Sequence, residues 1–377
     1  MKKFYVELKK VVDDSYDIEI GYDLFDKLIL ELKGELGKGI SRYAIITDSI
    51  VKDLYGDKLQ AAMNIAGLNT DLFSFQSGEI YKTRETKGML EDAMLEKGYK
   101  RDSCIIALGG GVVTDLAGFL AGTFARGIPF INYSTTLLGS ADASVGGKTA
   151  IDAPIATNAI GLIYQPKKVY IDLKTWETLP VNQVSNGLAE TIKHACIADF
   201  EFFEFLEQNI EKLITSEGVS KDNQDICEYI AMKNCEIKYE VVKQDERESN
   251  LRQILNLGHT VGRAIETLSG YSLLHGEALS IGMMVQVKVS NKLGYMTSEE
   301  ADRVIALYKK AGLPIEILSS VTTDELVEKL YTDKKVRKGK IRFVFEEGIG
   351  KIKVHEDGNY SIAIEEDTIR QYINEIR

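Results

Sequence analysis

Residues Gly109–Lys148 read GGGVVTDLAGFLAGTFARGIPFINYSTTLLGSADASVGGK. The stretch follows an apolar run, Cys104–Leu108 (CIIAL), with the length and composition of a buried strand, and three glycines stand where that strand ends. Glycine lets a backbone turn sharply and come close to a ligand. A helix-like segment follows from Asp115, and the free N–H groups and positive dipole end of such a helix suit a pyrophosphate. Gly109, Gly111 and Thr114 meet only the first two positions of a GxGxxG pattern, so a tight strand-to-helix turn carrying no ligand is the competing reading. Gly146 and Gly147 directly precede Lys148 and shortly follow Asp142. An acid and a cation thus flank a loop with accessible backbone, suited to an anionic or oxygen-rich ligand.

Outward from this stretch, KFYVEL (Lys3–Leu8) and YDIEIG (Tyr16–Gly21) alternate as strands, YAIITD (Tyr43–Asp48) reads as a buried strand, and Ile50–Ala66 reads as a helix. Alternating strands and helices over residues 1–180 predict an α/β, Rossmann-like domain with a mainly parallel sheet and ligands at the strand ends. Asp48, closing its strand, suits a cofactor ribose or a helix cap equally. Glu79 and Lys82, three apart, are by themselves an ordinary solvated pair. Past Pro180 the apolar spacing turns to a period of 3.6 from Val184 through Leu307, which predicts a mostly helical domain over residues 181–377. Thr297 with Glu300 and Thr322 with Glu325 form capping boxes. KIRFVF and KIKVHE, flanking GIG, suggest a small hairpin.

The chain has 377 residues, enough for two cores, with 44% hydrophobic and 27% charged residues. No run approaches the roughly 20 apolar residues of a membrane helix, and the start alternates like a strand rather than a signal peptide, so a soluble cytoplasmic protein is expected. A net charge of −11 argues against nucleic acid or an anionic membrane as partner. Cys104, Cys196, Cys227 and Cys235 form no CxxC pair and read as reduced buried residues. Among four histidines, His259 opens a helix in LNLGHT and His275 precedes Gly276 and Glu277; two imidazoles with a carboxylate would make an open metal site, and two buried or capping histidines are the plain alternative. His194, four residues after Glu190 on the same helical face, competes with that pair. His355 reads as a surface residue.

Six pieces occur in order: GGGVVTDLAGF, DASVGGKTAID, YQPKKVYIDLKTWETLP, GLAETIKHA, LNLGHTVGRAIE and HGEALSIGM. On them the chain resembles the 3-dehydroquinate synthase family, within the sugar phosphate cyclases, over nearly its whole length. The resemblance implies conversion of 3-deoxy-D-arabino-heptulosonate 7-phosphate to 3-dehydroquinate and phosphate in the shikimate pathway, a carbon–oxygen lyase reaction in which NAD is used catalytically. It implies Glu190, His259 and His275 as ligands to a divalent ion, most simply zinc with cobalt as the second choice. It implies Asp48, Glu79, Lys82, Gly110, Gly111, Asp115, Thr135, Thr136, Lys148 and Thr178 at NAD. Asp142, Lys148, Asn158, Lys193, Lys238, Arg252, Asn256 and Arg263 match positions at the substrate, and Arg126 matches an arginine lent across a homodimer interface. Lys334, Lys335 and Arg342 either reach the phosphate or form a solvated basic face.

Three positions depart from the family pattern. Thr114 stands for a glycine, Thr157 for a lysine, and Arg263 for a second histidine one turn beyond His259. Arginine binds phosphate but does not titrate near neutrality. The competing readings are a cyclase acting on another sugar phosphate, a metal-dependent NAD polyol dehydrogenase, and a catalytically silent homologue.

Overall fold

Cys104–Leu108 is apolar at every position because both faces of its strand are covered. In the computed structural model, which describes residues 3–8, 12–154, 156–216, 218–331 and 340–376, the first half of the chain contributes β1 (Asp17–Gly21), α1 (Phe25–Leu32), β2 (Arg42–Asp48), α2 (Ser49–Val51), α3 (Asp57–Ile65), β3 (Thr70–Phe75), α4 (Arg84–Glu96), β4 (Ser103–Gly109), α5 (Gly111–Thr123), β5 (Phe130–Ser134), β6 (Lys148–Ala153), β7 (Ala156–Ile163) and β8 (Lys168–Asp172). Six of these strands form one sheet in the order β1-β8-β5-β4-β2-β3, parallel at every pairing. Successive side chains alternate between its faces. Tyr43 and Ile45 pack with Leu28, Leu59 and Met63 on one side, and Ala44 and Ile46 pack with Leu90, Leu116 and Leu120 on the other. β6 and β7 form a separate antiparallel hairpin with a bulge between Ile151 and Ala153.

From Val181 the chain turns helical: α6 (Val181–Ala198), α7 (Phe200–Leu213), the short β9 (Ile214–Thr215) and β10 (Gly218–Val219), α8 (Gln224–Gln244), α9 (His259–Leu268), α10 (His275–Lys292), α11 (Ser298–Lys310), α12 (Thr323–Leu330), β11 (Arg342–Phe343), β12 (Ile362–Ala363) and α13 (Glu366–Ile376). One apolar cluster joins the halves, with Val169, Ile171 and Trp176 packed among Leu188, Ile192, Phe202, Met283 and Leu307. Both expected capping boxes form. Among the described residues no helix is long and apolar enough to cross a membrane.

Three local expectations are corrected. Lys3–Leu8 is not a strand: it has no ladder partner among the described residues, and Phe4, Tyr5, Val6 and Leu8 are exposed. Alternation alone does not supply the neighbour a strand needs. The helix after the triple glycine starts at Gly111, a full turn before Asp115. The C-terminal hairpin shrinks to a bridge between Glu346 and Ile352, while Arg342–Phe343 pairs with Ile362–Ala363. His355 is half-buried.

Ile106 sits fully buried at the centre of the sheet. Ile106→Ala is expected to lower the unfolding free energy by about 2–5 kcal/mol in a denaturant titration. A loss under about 1 kcal/mol would mean that this strand is not the packed centre.

Candidate active site and metal centre

The carboxyl edge of the sheet carries the glycine turn. Gly110 is the N-cap of α5 and offers no side chain, so the first N–H groups of that helix point outward without a side-chain cap. A Cβ at Gly110 would meet Thr136 at 3.0 Å, and one at Gly111 would meet Ala143 at 3.2 Å, so the glycines keep a narrow cradle clear. The Thr135 hydroxyl beside it is buried without a partner. Uncapped N–H groups, a cleared cradle and an orphaned hydroxyl fit a pyrophosphate. Thr114 is buried and donates to Gly111 O (3.1 Å). Asp48 caps α2 by accepting from Ile50 N (2.9 Å) and Val51 N (3.1 Å).

Glu79 and Lys82 are not a solvated pair. Lys82 is 3% exposed and ion-pairs with Glu79, with Asp115 at 3.6 Å and Asp152 at 3.7 Å. Burial raises Asp115 to about 7 against the pull of Lys82, and raises Asp152 to about 6. Asp152 accepts from Asn158 N (2.7 Å), which holds Asn158 at a φ of 52°.

Three helices bring the metal-type ligands together. Glu190 lies in the middle of α6, and His259 and His275 open α9 and α10. Glycine makes this approach possible, because a Cβ on Gly282 would sit 2.1 Å from Gly258 O and one on Gly276 2.2 Å from Asn186 O. Oε1 of the fully buried Glu190 lies 3.3 Å from His259 Nε2 and 3.2 Å from His275 Nε2. His259 Nδ1 lies 3.2 Å from Leu257 O, which only accepts, so that nitrogen carries the proton and Nε2 presents its lone pair to the centre. His275 Nδ1 lies 3.4 Å from Glu266, the carboxylate backing an imidazole ligand requires. Burial pushes His259 down to about 3. Burial acts on His275 in the same sense, but Glu266 and Glu190 overcome it and raise its pKa to about 10. Two imidazoles and one carboxylate, with ligand atoms within 4.8 Å of one another, suit zinc with a position open for substrate.

Asp142, Glu190 and His194 make a second such group. His194 Nδ1 is tied to Asn234 (2.9 Å), and burial lowers it to about 4. Lys238, 2.7 Å from Asp142 Oδ1, already compensates that carboxylate, which leaves the first group the better cation site.

Beside His259 opens a cavity of about 300 Å³ lined by Asp115, Asp142, Lys148, Asn158, Lys193, Lys238, Glu248, Arg252, Asn256 and Arg263. All eight expected substrate residues of the chain itself converge there. Lys193 pairs with Glu190 and donates to Leu255 O (2.9 Å). Arg252 donates to Gly146 O (3.0 Å) and to Glu246 O. The Arg263 guanidinium makes no hydrogen bond or ion pair with any described residue. Arg126 does not line the cavity; it is exposed at a φ of 70°. Arg342 is held by Ser361 (3.0 Å) and stands outside the cavity, and Lys334 and Lys335 lie outside the described residues.

Sequence reading missed Glu248, Glu266 and Asp245. Glu248 pairs with Lys148 and accepts from Asn256. Asp245 accepts from Ser249 N, Asn250 N and Arg252 N, all within 3.0 Å, and so shapes the turn that aims Arg252. Glu266, two turns after His259 on α9, was open to helical spacing; Glu248 carries no signal outside its fold.

Two family models cover most of the chain: one described as 3-dehydroquinate synthase N-terminal matches residues 72–186, and one described as 3-dehydroquinate synthase C-terminal matches 187–336. The 3-dehydroquinate synthase of Pelobacter propionicus is 44% identical over 90% of this chain and 92% of its own. The chain belongs to the 3-dehydroquinate synthase family. Among solved structures it is similar to 2-epi-5-epi-valiolone synthase from Streptomyces hygroscopicus subsp. jinggangensis with NAD+ and Zn2+ bound, at 26% identity and a TM-score of 0.86 over 99% of both chains. It is also similar to 2-deoxy-scyllo-inosose synthase complexed with carbaglucose-6-phosphate, NAD+ and Co2+, at 25% identity and a TM-score of 0.84 over 96% of both chains.

Gly282→Ala must push α9 from α10 and separate the two imidazoles, at a cost of about 1–3 kcal/mol. Zinc affinity measured by chelator competition is expected to fall at least tenfold, and unchanged affinity would contradict the geometry. The Lys148 side chain is 49% exposed, yet the surrounding cavity walls partly desolvate its ammonium, and this, aided by Arg252 and Arg263 and opposed by Glu248, lowers it to about 8. Its cation is present below that pH and lost above it, so kcat/KM is expected to decline as pH rises through about 8. Lys148→Arg should move the decline upward; a profile indifferent to that change would remove Lys148 from the titration.

Proposed function

We propose that the protein is a 3-dehydroquinate synthase, converting 3-deoxy-D-arabino-heptulosonate 7-phosphate to 3-dehydroquinate and phosphate. The observation that carries this reading is the buried Glu190, His259 and His275 group at the wall of a cation-lined cavity, next to a dinucleotide crevice. When bound, NAD takes up and returns a hydride, and a divalent ion, zinc or cobalt, acidifies the substrate hydroxyls.

The chain's own residues do the rest. Lys238 keeps Asp142 ionised against burial, so its carboxylate accepts a hydrogen bond from a ring hydroxyl. Arg252 retains donors for the substrate carboxylate after holding two backbone carbonyls in place. Lys148 and Arg263, whose guanidinium makes no hydrogen bond with a described residue, neutralise the phosphate as it leaves, and Asn158 and Asn256 orient the ring. In a chain of net charge −11, gathering these cations in one cavity confines anion binding to the site and leaves nucleic acid and membrane surfaces unfavoured.

On the same reading the protein is a cytoplasmic lyase. Residues 1–180 hold NAD and lend Asp142, Lys148 and Asn158 to the substrate cavity, 181–377 hold the metal and the remaining substrate residues, and a homodimer brings Arg126 to the partner's cavity.

Phosphate release from the heptulosonate phosphate, with NAD and zinc, before and after chelation, tests the reading. Metal- and NAD-dependent release of 3-dehydroquinate without net NADH is expected. Release from another sugar phosphate alone would make the chain a different cyclase. Arg263 supplies the fixed cation that Thr157 lacks, so Arg263→His is expected to lower turnover at least tenfold and Thr157→Lys to restore part of it. Purely additive effects would mean that the two positions are uncoupled.

A further inference from the structure

The turns that follow β2 and β8 touch each other across the carboxyl edge of the sheet. Tyr55, in the wide π turn Lys52–Gly56, has its hydroxyl 2.7 Å from Thr178 Oγ1. The Thr178 hydroxyl donates to Thr175 O (2.9 Å), so the Tyr55 O–H is the donor. In the sheet, β4 and β5 lie between β2 and β8. Neighbouring strands are about 4.8 Å apart, so the two turns leave the sheet roughly 14 Å from each other. Their contact therefore spans the ends of β4 and β5, with Tyr55 packed on the side of the sheet that α1 and α3 cover; Thr175, in the same turn as Thr178, donates to Thr135 O (3.0 Å) and ties that turn to the cradle described above.

Both ends of this bridge are anchored. Asp48 fixes the start of one turn through Ile50 N and Val51 N, and Asp172 fixes the other by accepting from Lys174 N (3.0 Å). Gly56 keeps the π turn against the sheet, since a Cβ there would meet Leu72 at 2.8 Å. The extra residue of a π turn pushes a side chain outward from the helix line, and such turns concentrate at functional sites.

The proposed reaction takes a hydride from the substrate and gives it back within one turnover. Escape of the reduced cofactor between those steps would leave an oxidised sugar with no hydride to complete the cycle. We propose that Tyr55 is a gate over the dinucleotide crevice: its hydrogen bond to Thr178 closes the crevice over NAD(H) and retains the reduced cofactor between hydride removal and hydride return. The inference rests on the function proposed above. A bond between two side chains of the protein itself obstructs entry as much as exit, and so sets rates rather than affinity.

Stopped-flow binding of NADH to the substrate-free protein tests the gate. Energy transfer from the chain's single tryptophan, Trp176 in the same turn as Thr178, provides the signal. Loss of one neutral hydrogen bond in Tyr55→Phe is expected to raise both association and dissociation rates roughly three- to tenfold, with Kd changed less than about twofold. In a Thr178→Val background the same substitution should change neither rate, because the acceptor is already gone. During turnover Tyr55→Phe should accumulate free NADH, which the unaltered protein does not. Unchanged rates in a folded Tyr55→Phe protein would overturn the gate. So would a weaker Kd with an unchanged association rate, which would make Tyr55 a simple cofactor contact. Failure of the unaltered protein to bind NADH would instead strike the functional reading.

Discussion

The Glu190 carboxylate is the constraint on which the site depends. It is fully buried, and an ion taken out of water costs several kcal/mol unless partners replace its hydration. Lys193, His259 and His275 supply those partners from α6, α9 and α10, and their pull outweighs burial and holds the carboxylate ionised. The helices reach each other only because Gly276 and Gly282 leave room for backbone atoms. Packing in the helical half and electrostatics at the centre are therefore one requirement: a bulkier residue at either glycine strands a charge.

The same logic extends outward. The cavity cations are held by the protein's own groups: Lys193 by Leu255 O, Lys238 by Asp142 and Arg252 by Gly146 O. Groups already held in place lose little freedom on binding and need no reorganisation as charge develops on the leaving phosphate. Arg263 is the exception: its guanidinium makes no hydrogen bond or ion pair with a described residue and meets Glu266 only through its charge. That is the arrangement expected of a group whose partner is the ligand.

Much of this was legible in the sequence, for physical reasons. A strand apolar on both faces, as at Cys104–Leu108, belongs inside a parallel sheet, and capping boxes such as Thr297 with Glu300 are local chemistry. The eight substrate positions were read through the family resemblance rather than through spacing, and all eight line one cavity. What stayed hidden depends on distant neighbours. Lys82 looked like half of a surface pair until the fold placed Asp115 and Asp152 beside it. Glu248 sits in a turn shaped by Asp245, which no period describes. Lys3–Leu8 alternates like a strand, but a strand is defined by a neighbour that alternation does not name.

The central claim is that this buried His–His–Glu group is a metal centre, and a diffraction experiment at the zinc absorption edge on zinc-loaded protein tests it most directly. The account predicts one strong anomalous peak per chain, bound by Nε2 of His259, Nε2 of His275 and a Glu190 oxygen. A peak ligated instead by Asp142 and His194, or no peak between the three helices of the folded, zinc-loaded protein, would contradict it.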